Sequence, residues 1–101
     1  MDEESQPGPR LRSCIFATTY ESSRELVEAD CRRFDQLAEG AQWRIEWNAE
    51  SCPVVHATPE IRMSRVAIDG RIIRLFFRIV NDAQCEALYV DAVDDPAWVA
   101  E

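Results

Sequence analysis

Five arginines, Arg62, Arg65, Arg71, Arg74 and Arg78, crowd residues 62–78. Clustered guanidinium groups are the feature of this chain best suited to hold a phosphate or a carboxylate, because each presents paired N–H donors in a planar fork. Arg62, Arg65, Arg74 and Arg78, together with Tyr89, Asp91, Asp94 and Asp95 from the next segment, are the candidate binding residues. The competing reading has the arginines spent locally, on Glu46, Glu60, Glu86 and Asp91, as opposite charges on neighbouring strands usually are. Since 19 acidic residues face 11 basic ones, local pairing is the expectation. A catalytic set is harder to find. His56 is the sole histidine, and nothing near it marks a nucleophile. Asp94 and Asp95 are adjacent at a strand end and should diverge rather than share a proton, and the three glycines form no phosphate-cradling loop. Cys14, Cys31, Cys52 and Cys85 include no CxxC pair, and Cys52 with His56 offers two ligands where a closed zinc site takes four. No catalytic residue, metal or cofactor is therefore expected. Cys14, Cys31 and Cys85 read as small buried hydrophobes.

The formal charge of −8, with an isoelectric point near 4.6, bears on partners. Such a surface repels a polyanion and attracts basic patches, so free nucleic acid is disfavoured and a basic protein is the expected partner. The plainer alternative is that net charge only keeps a small protein soluble. No apolar run nears the roughly 20 residues of a membrane span, and the acidic Met1–Pro9 segment has no apolar stretch behind it. No membrane association, no secretory leader and a cytoplasmic location with reduced thiols are expected.

The elements that must position the arginines follow from periodicity. Residues 1–10 read as a disordered acidic tail, and 11–101 as one domain. Ser13–Tyr20 is β-prone and reads as a first strand. Ser22 with Glu25 has the spacing of a capping box, followed by Leu26, Val27, Cys31, Phe34, Leu37 and Ala38 at intervals of three and four. That predicts one amphipathic helix, supported by a Glu28–Arg32 pair and closed at Gly40. Gln42–Asn48 alternates polar and apolar residues, which predicts a second strand with Trp43, Ile45 and Trp47 on one face. Residues 49–59, with Pro53, His56 and Pro59, read as a loop.

Residues 61–93 carry the strongest local signal. Asp69-Gly70 and Asn81-Asp82 separate three apolar-rich runs, and Asp-Gly is a preferred two-residue hairpin turn. Period two places Ile73, Leu75, Phe77 and Ile79 on a core face, and Ile72, Arg74, Phe76, Arg78 and Val80 on the other. Leu88 and Val90 should join the core, leaving Tyr89 and Asp91 beside the arginines. Pro96 ends pairing, and Ala97–Glu101 is expected to form a short turn packing Trp98. The predicted fold is α+β, in the order β-α-β-β-β-β, with one helix on a four- to five-stranded, mostly antiparallel sheet.

The segment from Ile61-Arg62-Met63-Ser64-Arg65 through Asp69-Gly70-Arg71 to Arg74-Leu75-Phe76-Phe77-Arg78-Ile79-Val80, ending in Ala87-Leu88-Tyr89-Val90, resembles the C-terminal meander of RelE/ParE-superfamily toxins. The resemblance covers about a third of the chain. It implies a small α+β scaffold opening with a pair of helices, a basic sheet acting on ribosome-bound mRNA or on gyrase, and a neutralising antitoxin. It carries a phosphate-facing role onto Arg62, Arg65, Arg74 and Arg78, with Tyr89 beside them. Ribonuclease members follow the last strand with basic or aromatic catalytic residues. This chain has Asp91, Asp94, Asp95 and Pro96 there instead. The leading expectation is accordingly a small, acidic, non-catalytic protein-binding module of inhibitor or immunity type that docks on a basic, nucleic-acid-binding kind of site. A RelE/ParE-like toxin is the alternative, and a small-molecule pocket near Trp43 and Trp47 is a third reading.

Overall fold

A computed structural model describes residues 11–29, 33–55, 57–68 and 70–97, with the side chains of residues 59 and 68 left aside. The architecture is α+β. In chain order it runs β1 (Ser13–Phe16), α1 (Thr18–Glu28), α2 (Phe34–Asn48), a 3-10 turn (Ala49–Ser51), β2 (Val54–Val55), β3 (Thr58–Ile68), β4 (Arg71–Asn81) and β5 (Gln84–Asp94). The strands form one sheet in the order β1-β5-β4-β3-β2. Every pairing is antiparallel except β1 with β5, which is parallel. The two helices make the crossover that a parallel connection between β1 and the rest of the sheet requires.

The meander forms as its turn chemistry dictates. Ile68 pairs with Arg71 across the first turn, where Gly70 takes a positive φ of 85° that a side chain would disfavour. The second turn sits one residue beyond the expected place. Asn81 pairs with Gln84, and the Asn81 Oδ1 accepts the Ala83 N–H at 2.7 Å, closing the loop around Asp82-Ala83.

Several expectations fail in the first half. The first strand ends at Phe16, and Thr18–Tyr20 open α1 instead of extending it. Residues 22–39 are not one helix: α1 stops at Glu28 and α2 starts at Phe34. The capping box does not operate, since Ser22 lies inside α1, whose N-cap is Ala17 with no side-chain bond. Nor does Gly40 close a helix, because it lies within α2. The expected strand at 42–48 is the second half of α2. Its alternation is local, whereas Leu37, Ala41, Ile45 and Ala49 repeat at four throughout and are buried, an unbroken stripe that only a helix presents to a core. Trp43 and Trp47 fall on the outer face, 61 % and 37 % exposed. Residues 49–59 also hold more structure than a loop, namely the 3-10 turn, β2 and the start of β3. The expectations for the tail at 1–10, for Cys31, for the Glu28–Arg32 pair, for His56 and for Trp98 fall outside the described residues.

Both helices cover one face of the sheet. The core joins Tyr20, Phe34, Leu37, Ala41 and Ile45 to Ile73, Leu75, Phe77, Cys85, Ala87 and Val90. The period-two assignment of β4 holds, with Ile79 partly buried at its end. Leu88 departs from it: a bulge skips this residue between the Phe76–Tyr89 and Phe77–Ala87 pairs, leaving it half-buried. Three buried polar side chains tie the layers together. The Ser23 hydroxyl donates to the Tyr20 carbonyl and accepts the Val90 N–H, and Ser64 donates to the Ala41 carbonyl. Arg12, 3 % exposed, bonds the Asn81 carbonyl and the Glu50 carboxylate, stitching β1 to the β4–β5 turn and to the end of α2. Among the described residues, no helix is long and apolar enough to cross a membrane.

Candidate functional site

The face of the sheet turned away from the helices carries most of the candidate residues. On β4 and β5, Arg74 stands opposite Asp91, Phe76 opposite Tyr89, and Arg78 opposite Glu86. On β3, Arg65 stands opposite Arg74 and Met63 opposite Phe76. The middle of the face is aromatic, with the Phe76 and Tyr89 rings 6.1 Å apart and the Arg74 guanidinium 5.6 Å from the Phe76 ring. A cation near a ring face gains from the ring quadrupole. The bulge at Leu88 is what brings both Tyr89 and Glu86 onto this face from one strand.

The charges here are largely spent. Arg74 holds Asp91 in a two-point fork, Nε to Oδ1 at 2.8 Å and Nη2 to Oδ2 at 2.6 Å, the strongest form an arginine–carboxylate contact takes. The bond to Asp91 raises the Arg74 pKa above its already high ordinary value. Arg78 reaches Glu86 at 2.8 Å, and Arg71 lies 3.7 Å from Asp94 at the strand end. Arg65 has no ion-pair partner among the described residues. It faces Arg74, an arrangement of like charges that is tolerable because Asp91 already neutralises Arg74. Expected partners Glu86 and Asp91 are thus in place. Glu46 instead accepts from Gln42 on α2, and Glu60 is exposed on β3.

Two candidates leave the cluster. Arg62 lies on the helix side of the sheet, donating to the carbonyls of Glu50 and Cys52 at 3.2 and 2.8 Å, where it closes the chain end that follows α2. Asp95 lies beyond β5, its N–H bonded to the Gly70 carbonyl and its carboxylate accepting the Ala97 N–H. It shapes a turn. Asp94 stays at the edge with Arg71. The arrangement therefore brings together Arg65, Arg74, Arg78, Tyr89 and Asp91.

No protein-family model matches this chain, and no curated protein matches it significantly.

The three described thiols, Cys14, Cys52 and Cys85, are poor candidates for a nucleophile. Burial pushes Cys14 up to about 12, and raises Cys52 and Cys85 as well, so all three are protonated at neutral pH. Cys52, read as a loop residue, is buried behind α2.

A second surface adjoins the tryptophans near which a small-molecule pocket was the third expectation, and it lies beside the helices rather than between helix and sheet. Between α1 and α2 runs a groove of about 500 Å³ lined by Arg24, Asp35, Glu39, Gln42, Trp43 and Glu46. The signal that could have revealed it was the four-residue interval between Trp43 and Trp47, which puts both on one face of a helix as readily as on one face of a strand.

Proposed function

We propose that this protein is a small, acidic, non-catalytic binding module that docks on a basic site of a partner protein. One observation carries the reading: Arg74 and Arg78 are neutralised in place by Asp91 and Glu86. What remains is a molecule of formal charge −8 in which Arg65 is the only described sheet-face arginine without a carboxylate partner, a poor match to an RNA backbone. The excess charge steers a basic partner toward it and makes association fast and salt-sensitive. Affinity capture of the partner from host cells, followed by association kinetics at rising salt, tests this. The association rate should fall by about tenfold or more between low and high ionic strength. A rate indifferent to salt, or a partner acidic at its contact surface, would overturn it.

A second reading is favoured by one specific feature. The pair of helices α1 and α2 ahead of the meander is what resemblance to RelE/ParE toxins implies, and periodicity alone had supplied only one. On that reading, expression in a bacterial host arrests growth, and Arg74→Ala with Arg78→Ala relieves the arrest. Silent expression of the intact chain removes it.

A further inference from the structure

The groove between the helices has no part in the open sheet face, and its chemistry is distinct. Three carboxylates, Asp35, Glu39 and Glu46, line it against one guanidinium, Arg24. That guanidinium is already engaged by Glu28 at 2.9 Å and Asp35 at 3.3 Å, and lies 5.4 Å from the Phe34 ring. Glu46 is held by Gln42, while Glu39 is exposed and has no ion pair among the described residues. Along the same wall Trp43 is 61 % exposed, its ring 6.2 Å from that of Trp47. The two indoles together give α2 an exposed aromatic wall that can present a ring face to a ligand. The core stripe of α2 is complete without either tryptophan.

A surplus of carboxylate beside an accessible indole face is the combination that receives a cationic side chain. The carboxylate takes the N–H donors, the ring takes the face of the cation, and guanidinium does both better than ammonium because it is planar and less strongly hydrated. We propose that the α1–α2 groove is where the basic partner docks, taking an arginine side chain between Glu39 and Trp43. This rests on the docking reading above and gives it a location. The opposite face of the molecule then stays clear of the partner.

The test is titration of the full chain with a capped arginine-rich peptide, read by tryptophan fluorescence and by calorimetry. A lysine peptide of equal charge and an acidic peptide are run alongside. Glu39→Gln and Trp43→Ala alter exposed positions, and circular dichroism checks that both variants fold. The exposed Glu60→Gln on β3 removes the same charge elsewhere. The proposal predicts saturable binding of the arginine peptide in preference to the lysine one, weakened about threefold or more by Glu39→Gln and by Trp43→Ala and left near its original value by Glu60→Gln. Equal losses from Glu39→Gln and Glu60→Gln would overturn the groove while leaving a diffuse acidic docking surface intact. Failure of every basic peptide to bind would also overturn it. The wider reading is decided separately, by the salt dependence of the captured partner.

Discussion

At the scale of single residues, the Arg74–Asp91 fork decides how the sheet face behaves. Both side chains are partly screened, with side-chain exposures of 37 % and 24 %. Their coupling should exceed that of a fully solvated pair and fall short of a buried one. A double-mutant cycle with Arg74→Ala and Asp91→Ala, read by urea unfolding, should return a coupling of about 1 kcal/mol. Asp91→Ala alone should cost more than Arg74→Ala, since it strands Arg74 opposite Arg65 as an uncompensated like charge. A second residue-level prediction concerns alkaline pH. All basic residues are arginines, with no lysine, so cysteine and tyrosine are the side chains that titrate between about 9 and 12. Burial raises the folded-state pKa of Cys14 from 9.0 to about 12, and raises those of Cys52, Cys85 and Tyr20 in the same sense. As pH climbs past 9 the unfolded chain loses these protons first, and stability falls. The melting temperature should hold below pH 9 and decline from there toward 12, and Cys14→Ala should shallow the decline. An unchanged slope in that variant would show that Cys14 does not drive it.

At the scale of elements, the joints that hold helix to sheet are polar and few. Ser23 is the clearest, because one hydroxyl satisfies both a carbonyl of α1 and the N–H of Val90 in the middle of β5. Removing it leaves a buried donor unpaired, so Ser23→Ala should cost about 1–3 kcal/mol in urea unfolding, more than its loss of volume explains. How far such elements are legible depends on how local their cause is. The meander was readable because Asp69-Gly70 and the alternation from Ile72 to Val80 are local statements about turn and pleat. The assignment of 42–48 failed because seven residues can satisfy period two by coincidence, and the contrary evidence lay in Leu37, Ala41 and Ala49, outside that window. The break between α1 and α2 was hidden for a related reason: Val27, Cys31 and Phe34 keep helical spacing across it, so hydrophobic pattern alone gives no stop. Arg62 was misplaced by counting all strand arginines as one ladder, although period two separates it from Arg65 and sets it with Ser64 and Val66 on the helix side.

At the scale of the whole molecule, the two faces divide the charge between them. The sheet face holds Arg74 and Arg78 locked to carboxylates around an aromatic centre, and the helix face holds Glu39, without an ion pair among the described residues, beside an open indole. The second was anticipated only as a small-molecule pocket near Trp43 and Trp47, since a groove between two helices is placed only once both helices are known. On the docking proposal, the net charge of −8 is not spread evenly in its consequences, because a basic partner would feel most the carboxylates that lack local cations. The most direct test of this division is nitrogen–proton correlation spectroscopy of the arginine side chains during titration with a short single-stranded RNA. The Nε–Hε signals of Arg74 and Arg78, held by Asp91 and Glu86, are predicted to stay in place at physiological salt. Saturable movement of both, together with Arg65, would mean that the sheet face exchanges its carboxylates for phosphates, and would contradict the account.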